Sequence, residues 1–225
     1  MINHHPEWHW LQAFAADTLP LSLALAVAAH MERCPGCATK LAEYEAELAH
    51  RLLGDDLAPS AANAQPLAPE LEAMLLQIMT HGSAAPATIS PEPAPTLLWA
   101  GREIRLPRAL RHLALPAWQQ LGKIGRARLE VSAEDGARAS LLAIEAGCAI
   151  PEHTHKGYEL TLLLDGSMED EQGCYGVGDF LLLDGRHQHA PVTREGCLCY
   201  LVLDAPLQFT KGWPRLLNGL GSLLY

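Results

Sequence analysis

Four prolines within fourteen residues constrain this chain more than any other feature of it. Between Ser83 and Thr96 the sequence reads SAAPATISPEPAPT, with Pro86, Pro91, Pro93 and Pro95. Each removes a backbone donor and fixes φ, so neither a helix nor an interior strand can run through the stretch. The 225 residues are therefore expected to form two parts, residues 1–82 and 97–225, joined by a semi-rigid linker over 83–96. Charge divides at the same place: residues 1–82 hold 3 Lys and Arg against 10 Asp and Glu, net −7, and residues 83–225 hold 13 against 16, net −3. A chain with an overall formal charge of −10 is poorly suited to gripping phosphate backbones and better suited to a basic protein partner. Direct nucleic-acid binding is not expected.

The first part has helical periodicity. Pro6 and Glu7 open a helix in PEWHWLQAFAAD, a second runs through PLSLALAVAAHM, and a third opens at Pro35 and carries KLAEYEAELAHRLL. A fourth covers Glu70 to Met79, after the polar stretch GDDLAPSAANAQPLAP. Such a small bundle has a thin core and commonly needs a metal or a partner to be stable. The second part changes to period two and to short β runs, with RARLEVS, ARASLLAIEAG, ELTLLLDG, DFLLLDG and CLCYLVLDA separated by Gly and Asp turns, the pattern of a sandwich or barrel. The apolar tail from Trp213 to Tyr225 is expected to pack outside it as a short helix or coil. The fold class is α+β, in two domains. No secretory signal or membrane span is expected, because Leu19 to Ala29 is short, carries Pro20 and follows an acidic flank. In a cytoplasmic protein the six cysteines read as ligands, redox thiols or core residues rather than as disulfides.

Two clusters carry the chemistry. His30, Cys34 and Cys37 form HxxxCxxC at the junction of the second and third helices. His30 lies near the end of one helix, and the cysteines bracket the start of the next, where the helix N-terminus favours thiolate. A structural zinc needs a fourth ligand, and HHPEWHW offers His4, His5 and His9. A redox dithiol at Cys34-Pro-Gly-Cys37 is disfavoured because no strand of a βαβ unit precedes it. The second cluster is Gly147, five residues, His153-Thr-His155, three residues, Glu159, six residues, Gly166. Histidines at i and i+2 of a strand share a face, and a turn can return Glu159 to it. A further segment, GDFLLLDGRHQHAP, places His189 after Gly178 with ten residues between them, and His187 is the competing ligand. Three His and one carboxylate hold a divalent first-row metal with positions left open; zinc is favoured, although the donor set also suits iron, nickel, manganese or copper. Cys197 and Cys199, with Cys148 beside Gly147, read as small core residues, with a thiol sensor as the alternative, and Cys174 is given no role.

These motifs carry a family resemblance. A histidine, a gap of 24 residues and HxxxCxxC resemble the zinc-containing anti-sigma domains, which selects His5, with His9 one turn away able to exchange with it. The second cluster resembles the first cupin motif at every signature position; the second cupin motif is looser, with Asp184 and Arg186 where Pro and Gly are usual. Together the two halves resemble the anti-sigma factors of the ChrR type over essentially the whole chain. The resemblance implies a small zinc-binding helical bundle followed by an all-β cupin (jelly-roll) barrel. It implies a cytoplasmic regulator that sequesters an extracytoplasmic-function sigma factor and releases it on singlet oxygen or organic peroxide. Structural zinc would sit on His5, His30, Cys34 and Cys37, and the cupin metal on His153, His155, Glu159 and His189, beside a possible small-molecule ligand. No catalytic residue is assigned; the rival class is a cupin metalloenzyme of dioxygenase type.

Overall fold

The computed structural model describes residues 1–54, 68–80, 96–113, 117–131 and 136–212, with Arg215 and Asn218. The expected linker apart from Thr96, the polar residues 55–67 and most of the tail 213–225 lie outside the described residues. Packing partitions the chain into two compact units, Met1–Tyr44 with Pro95–Tyr225, and Glu45–Ala94.

Four helices form where the periodicity puts them: α1 (Trp8–Ala15), α2 (Leu21–Met31), α3 (Pro35–Leu53) and α4 (Pro69–Thr80). Glu7 stays extended as the N-cap of α1, and Pro20 caps α2 in the same way. On α2 the residues Ser22, Ala26, Val27, Ala29 and His30 are all buried. The small side chains of Ser22, Ala26 and Ala29 let the helix backbone come close to whatever it packs on.

The β-rich region follows in chain order. A hairpin joins β1 (Thr96–Trp99) to β2 (Arg102–Arg105), and a 3₁₀ turn covers Arg108–Leu110. Then come β3 (Gln119–Leu121), β4 (Ile124–Arg128), β5 (Arg138–Ile144), β6 (Cys148–Ala149), β7 (His153–His155), β8 (Tyr158–Gly166) and β9 (Met168–Asp170). After these lie β10 (Gly173–Tyr175), β11 (Phe180–Asp184), β12 (Gln188–His189), β13 (Val192–Thr193), β14 (Cys197–Leu203) and β15 (Leu207–Phe209). The main sheet is six-stranded and antiparallel, in the order β11-β8-β14-β5-β4-β3; smaller sheets have the orders β10-β9-β13-β6 and β12-β7-β15.

The strands β8, β14 and β5 of the main sheet are buried on both faces. Every residue of β14 is buried, and its side chains divide by parity, as a strand requires. Leu198, Tyr200 and Val202 join the core that includes Ala26, Val27 and Leu23 of α2, whereas Cys197 and Cys199 point into a second core with Leu163, Met168 and Tyr175. α2 thus covers one face of the sheet. The Tyr200 hydroxyl, fully buried, donates to the Ser22 carbonyl at 2.9 Å, which ties helix to sheet with a desolvated hydrogen bond. At one end of the sheet Gly166 has φ +71°, and a Cβ there would collide with the Gly196 carbonyl, so only glycine lets these two turns meet.

Candidate metal centres

The first centre lies where α2 hands over to α3. One ligand atom from each of His5, His30, Cys34 and Cys37 lies within 4.8 Å of the others. His5 Nδ1 stands 3.4 Å from Cys34 Sγ and 3.5 Å from Cys37 Sγ. His30 is held by an outer hydrogen bond: its Nδ1 is 2.7 Å from the Gly178 carbonyl, an acceptor, so Nδ1 carries the proton and the Nε2 lone pair is left for a ligand. Among the described residues that buried Nε2 has no hydrogen-bond partner. Burial lowers the His30 pKa, favouring the neutral form that can ligate. Burial, and then the neighbouring Cys34 thiol, push the Cys37 thiol up to about 11. A thiol raised in this way does not ionise at neutral pH without a cation, and a bound metal would supply one. The donor set and the orphaned Nε2 fit zinc.

The other candidate histidines are engaged elsewhere. The His4 ring packs edge-on against Tyr175 with centroids 4.9 Å apart, and its Nδ1 is 3.6 Å from the Asp179 carboxylate. His9 is exposed beside Glu7. The N-terminal segment that delivers His5 is anchored by Asp179, whose Oδ1 accepts from the backbone N–H of Asn3 at 2.7 Å and of His4 at 2.9 Å. Burial alone would raise the Asp179 carboxyl, but donation from the Gly176, His4 and Asn3 backbone holds it below its ordinary value. Phe180 N–H in turn donates to the His4 carbonyl at 3.0 Å. The turn preceding β11 therefore positions two of the four ligands.

The second centre lies on β7, β8 and β12. His153, His155, Glu159 and His189 are all buried, and their ligand atoms also converge within 4.8 Å. Register explains it: His189 pairs across from His153, and the i, i+2 spacing puts His155 on the same face. His153 Nδ1 is 2.9 Å from the Pro151 carbonyl, and His189 Nδ1 is 3.1 Å from the Asp170 carboxylate. Both partners are acceptors, so both rings carry their proton on Nδ1 and turn Nε2 inward. The two Nε2 atoms then face each other at 3.0 Å, lone pair to lone pair. That repulsive arrangement is relieved by a cation between them. Both nitrogens of His155 are buried with no hydrogen-bond partner among the described residues, and Glu159 Oε2 is 3.6 Å from its Nδ1. Burial, and then the neighbouring histidines, hold His153 down at about 4 and His155 down at about 3. Burial raises the Glu159 carboxyl, against a hydrogen bond from Thr161. Three imidazoles and a desolvated carboxyl group fit a divalent first-row metal.

His187 does not reach this centre; its Nδ1 is 2.9 Å from Asp184 Oδ1. Asp184, where the motif usually has proline, builds the turn itself by accepting from the Arg186 backbone N–H at 3.0 Å. Sequence reasoning missed the outer ring of partners: Gly178, Asp179, Asp170 and the Pro151 carbonyl. Acidic residues in turns are common, and a backbone carbonyl leaves no mark in sequence. Of the remaining cysteines, Cys197 and Cys199 are buried side by side, Cys148 is half-buried and Cys174 is exposed. No described helix is long and apolar enough to cross a membrane.

A helical N-terminal region bearing a His₂Cys₂ cluster, ahead of a β-rich region bearing a His₃Glu cluster, defines a cupin-like protein with two candidate metal centres. Residues 108–206 match the ChrR cupin-like domain family. The chain is 34% identical over 220 residues to the anti-sigma-E factor ChrR of Cereibacter sphaeroides, covering 96% of this chain and 97% of that one. It therefore belongs to the ChrR family of anti-sigma factors. Among solved structures it is similar to the crystal structure of Rhodobacter sphaeroides SigE in complex with the anti-sigma ChrR, with a TM-score of 0.60, 29% identity and coverage of 90% of this chain and 99% of that one.

Proposed function

We propose that this chain is a cytoplasmic anti-sigma factor. Its N-terminal helical domain, residues 1–82, sequesters an extracytoplasmic-function sigma factor, and the β-rich domain, residues 97–225 closed as a jelly-roll barrel, governs release on an oxidative signal such as singlet oxygen or organic peroxide. Structural zinc is held by His5, His30, Cys34 and Cys37, and a divalent metal, zinc by preference, by His153, His155, Glu159 and His189.

The observation that carries the sigma-factor reading is α4. None of its twelve residues is buried, yet it displays Leu71, Met74, Leu75, Leu76, Ile78 and Met79, each between 47% and 75% exposed. So much apolar surface on one short helix is a binding surface, and the net charge of −7 over residues 1–82 suits a basic partner. The supporting observation for the signalling half is the His30 hydrogen bond to Gly178. Any change in the turn before β11 acts directly on a zinc ligand. The test is a pull-down of the sigma factor with the full chain and with residues 1–82. Both are expected to retain it; failure of the full chain would overturn the reading, and failure of residues 1–82 alone would overturn the domain assignment. The rival reading, a dioxygenase, rests on the same His₃Glu set, and oxygen uptake by iron-loaded protein would decide for it.

A further inference from the structure

A continuous chain of contacts joins the two candidate metal centres. From the second centre, His189 Nδ1–H donates to Asp170 Oδ2 at 3.1 Å, and both side chains are only 2% exposed. The other oxygen of the same carboxylate, Oδ1, accepts from the Tyr175 hydroxyl at 2.9 Å. Burial, and then the adjoining Asp170 carboxylate, raise the Tyr175 hydroxyl above its ordinary value, which keeps it a donor. From buried Tyr175 two routes reach the first centre. Its ring packs edge-on with His4, the residue before the ligand His5. Its main chain continues through Gly176, whose N–H donates to Asp179 Oδ2 at 2.8 Å, to Gly178, whose carbonyl accepts from the ligand His30. The two oxygens of Asp170 turn as one rigid group, so His189 and Tyr175 share its orientation, and burial strengthens both bonds.

We infer that Asp170 and Tyr175 are positioning residues through which a metal at the second centre tightens metal binding at the first. The inference rests on the reading of both clusters as metal sites and adds that the two act together. A metal held by His153 and His189 fixes the His189 ring with its Nδ1–H on Asp170. The carboxylate then presents Oδ1 to Tyr175, and the tyrosine holds His4 and the turn carrying Gly178 where His5 and His30 need them. Without that metal, the Nε2 lone pairs of His153 and His189, 3.0 Å apart, drive the two rings apart, and the order passed to Asp170 is lost. Coupling between two sites is typically worth about 5- to 150-fold in affinity, and it is reciprocal.

The experiment is a metal-buffered cobalt(II) titration of the full-length chain, its final metal content measured on the same sample. Of the two clusters only the first offers thiolate ligands, so a thiolate-to-cobalt charge-transfer band reports it, and the remaining uptake reports the second. By reciprocity the coupling appears in whichever centre fills later. That step is compared with the same centre alone, in His155→Ala for the first or Cys34→Ser for the second, and the native chain is expected to bind at least about fivefold more tightly. Tyr175→Phe keeps the ring beside His4, and Asp170 Oδ1 keeps the N–H donors of Gln172 and Gly173 at 2.8 and 3.2 Å. In that variant the earlier step should stay within about twofold of native, the usual error of additivity, and the later one should fall to its single-centre value. Because both steps are read in one chain, this comparison decides the matter if Cys34→Ser fails to fold. His4→Ala, which cuts the route to His5 and leaves Asp170 in place, should also lower the coupling, and it provides the test if Tyr175→Phe fails to fold. A later native step equal to its single-centre value, or coupling undiminished in Tyr175→Phe, overturns the inference alone. Uptake of fewer than two cobalt ions at excess metal overturns the metal reading, and the inference with it.

Discussion

Gly178→Ala tests whether the turn before β11 holds the first metal centre in shape. Gly178 has φ +95°, whereas the left-handed well open to an L-residue lies near +57°, so alanine has to rotate the backbone at a cost of about 1–2 kcal/mol. Its Cβ would also stand 2.5 Å from Ile2 Cδ1 and 2.8 Å from Ile2 Cγ1. Both effects displace the carbonyl that lies 2.7 Å from His30 Nδ1. Loss of an outer hydrogen bond to a ligating histidine weakens metal binding by about 10- to 100-fold, or roughly 1.4–2.7 kcal/mol. Competition against a chromophoric chelator should show that loss for one metal, with the second retained. Ile2→Ala added to Gly178→Ala removes the clash but not the backbone strain, and should recover only part of the affinity. Unchanged zinc affinity in Gly178→Ala would refute the claim that this turn orients His30.

Other substitutions probe other links. Tyr200→Phe removes the buried bond to Ser22 and should cost about 1–1.5 kcal/mol, lowering Tm by a few degrees in a thermal melt; an unshifted melt would mean that α2 is not bound to the sheet as described. Leu76→Glu with Met79→Glu, at positions 65% and 75% exposed, should leave Tm within a degree and weaken sigma-factor binding at least tenfold, read by calorimetry; full binding would remove α4 from the interface. Metal-free protein should lose stability in acid. Its His153 and His155 titrate at about 4 and about 3 in the folded state, below the ordinary 6.5, so the unfolded chain binds more protons between those values and stability rises with pH. The urea midpoint of chelator-treated protein should fall by an amount worth a few kcal/mol from pH 7.5 to pH 4.5, and an unchanged midpoint would contradict the burial of neutral imidazoles.

The parts of this molecule legible in sequence are those where chemistry demands particular residue types at fixed spacing. HxxxCxxC and HTH followed by Glu159 identify seven of the eight converging ligands with His189, and His5 needed the family spacing to separate it from His4 and His9. Helix positions followed from capping prolines and periodicity. The short strands β6 and β13 did not, because two residues carry no period. The double coverage of the main sheet had a signal: CLCYLVL and LTLLL are continuous apolar runs rather than alternating ones, the mark of a strand buried on both faces. What covers the second face cannot be read from the run. The answer, that α2 does, depends on Ala26 and Ala29 sharing a core with Tyr200 and on Ser22 meeting its hydroxyl, far along the chain. The outer hydrogen bonds from Gly178, Pro151 and Asp170 were illegible for the same reason: they arise from register, not from composition.

Whether the helical region held at His5, His30, Cys34 and Cys37 binds a sigma factor is answered by a calorimetric titration of the full-length, zinc-loaded chain against the extracytoplasmic-function sigma factors of its own cell, repeated with His30→Ala. A one-to-one complex with one of them is expected, weakened at least tenfold when His30 and its zinc are lost. Zinc-loaded protein that binds none of them, or a His30→Ala chain that has lost its zinc and binds as tightly as the native one, would contradict it.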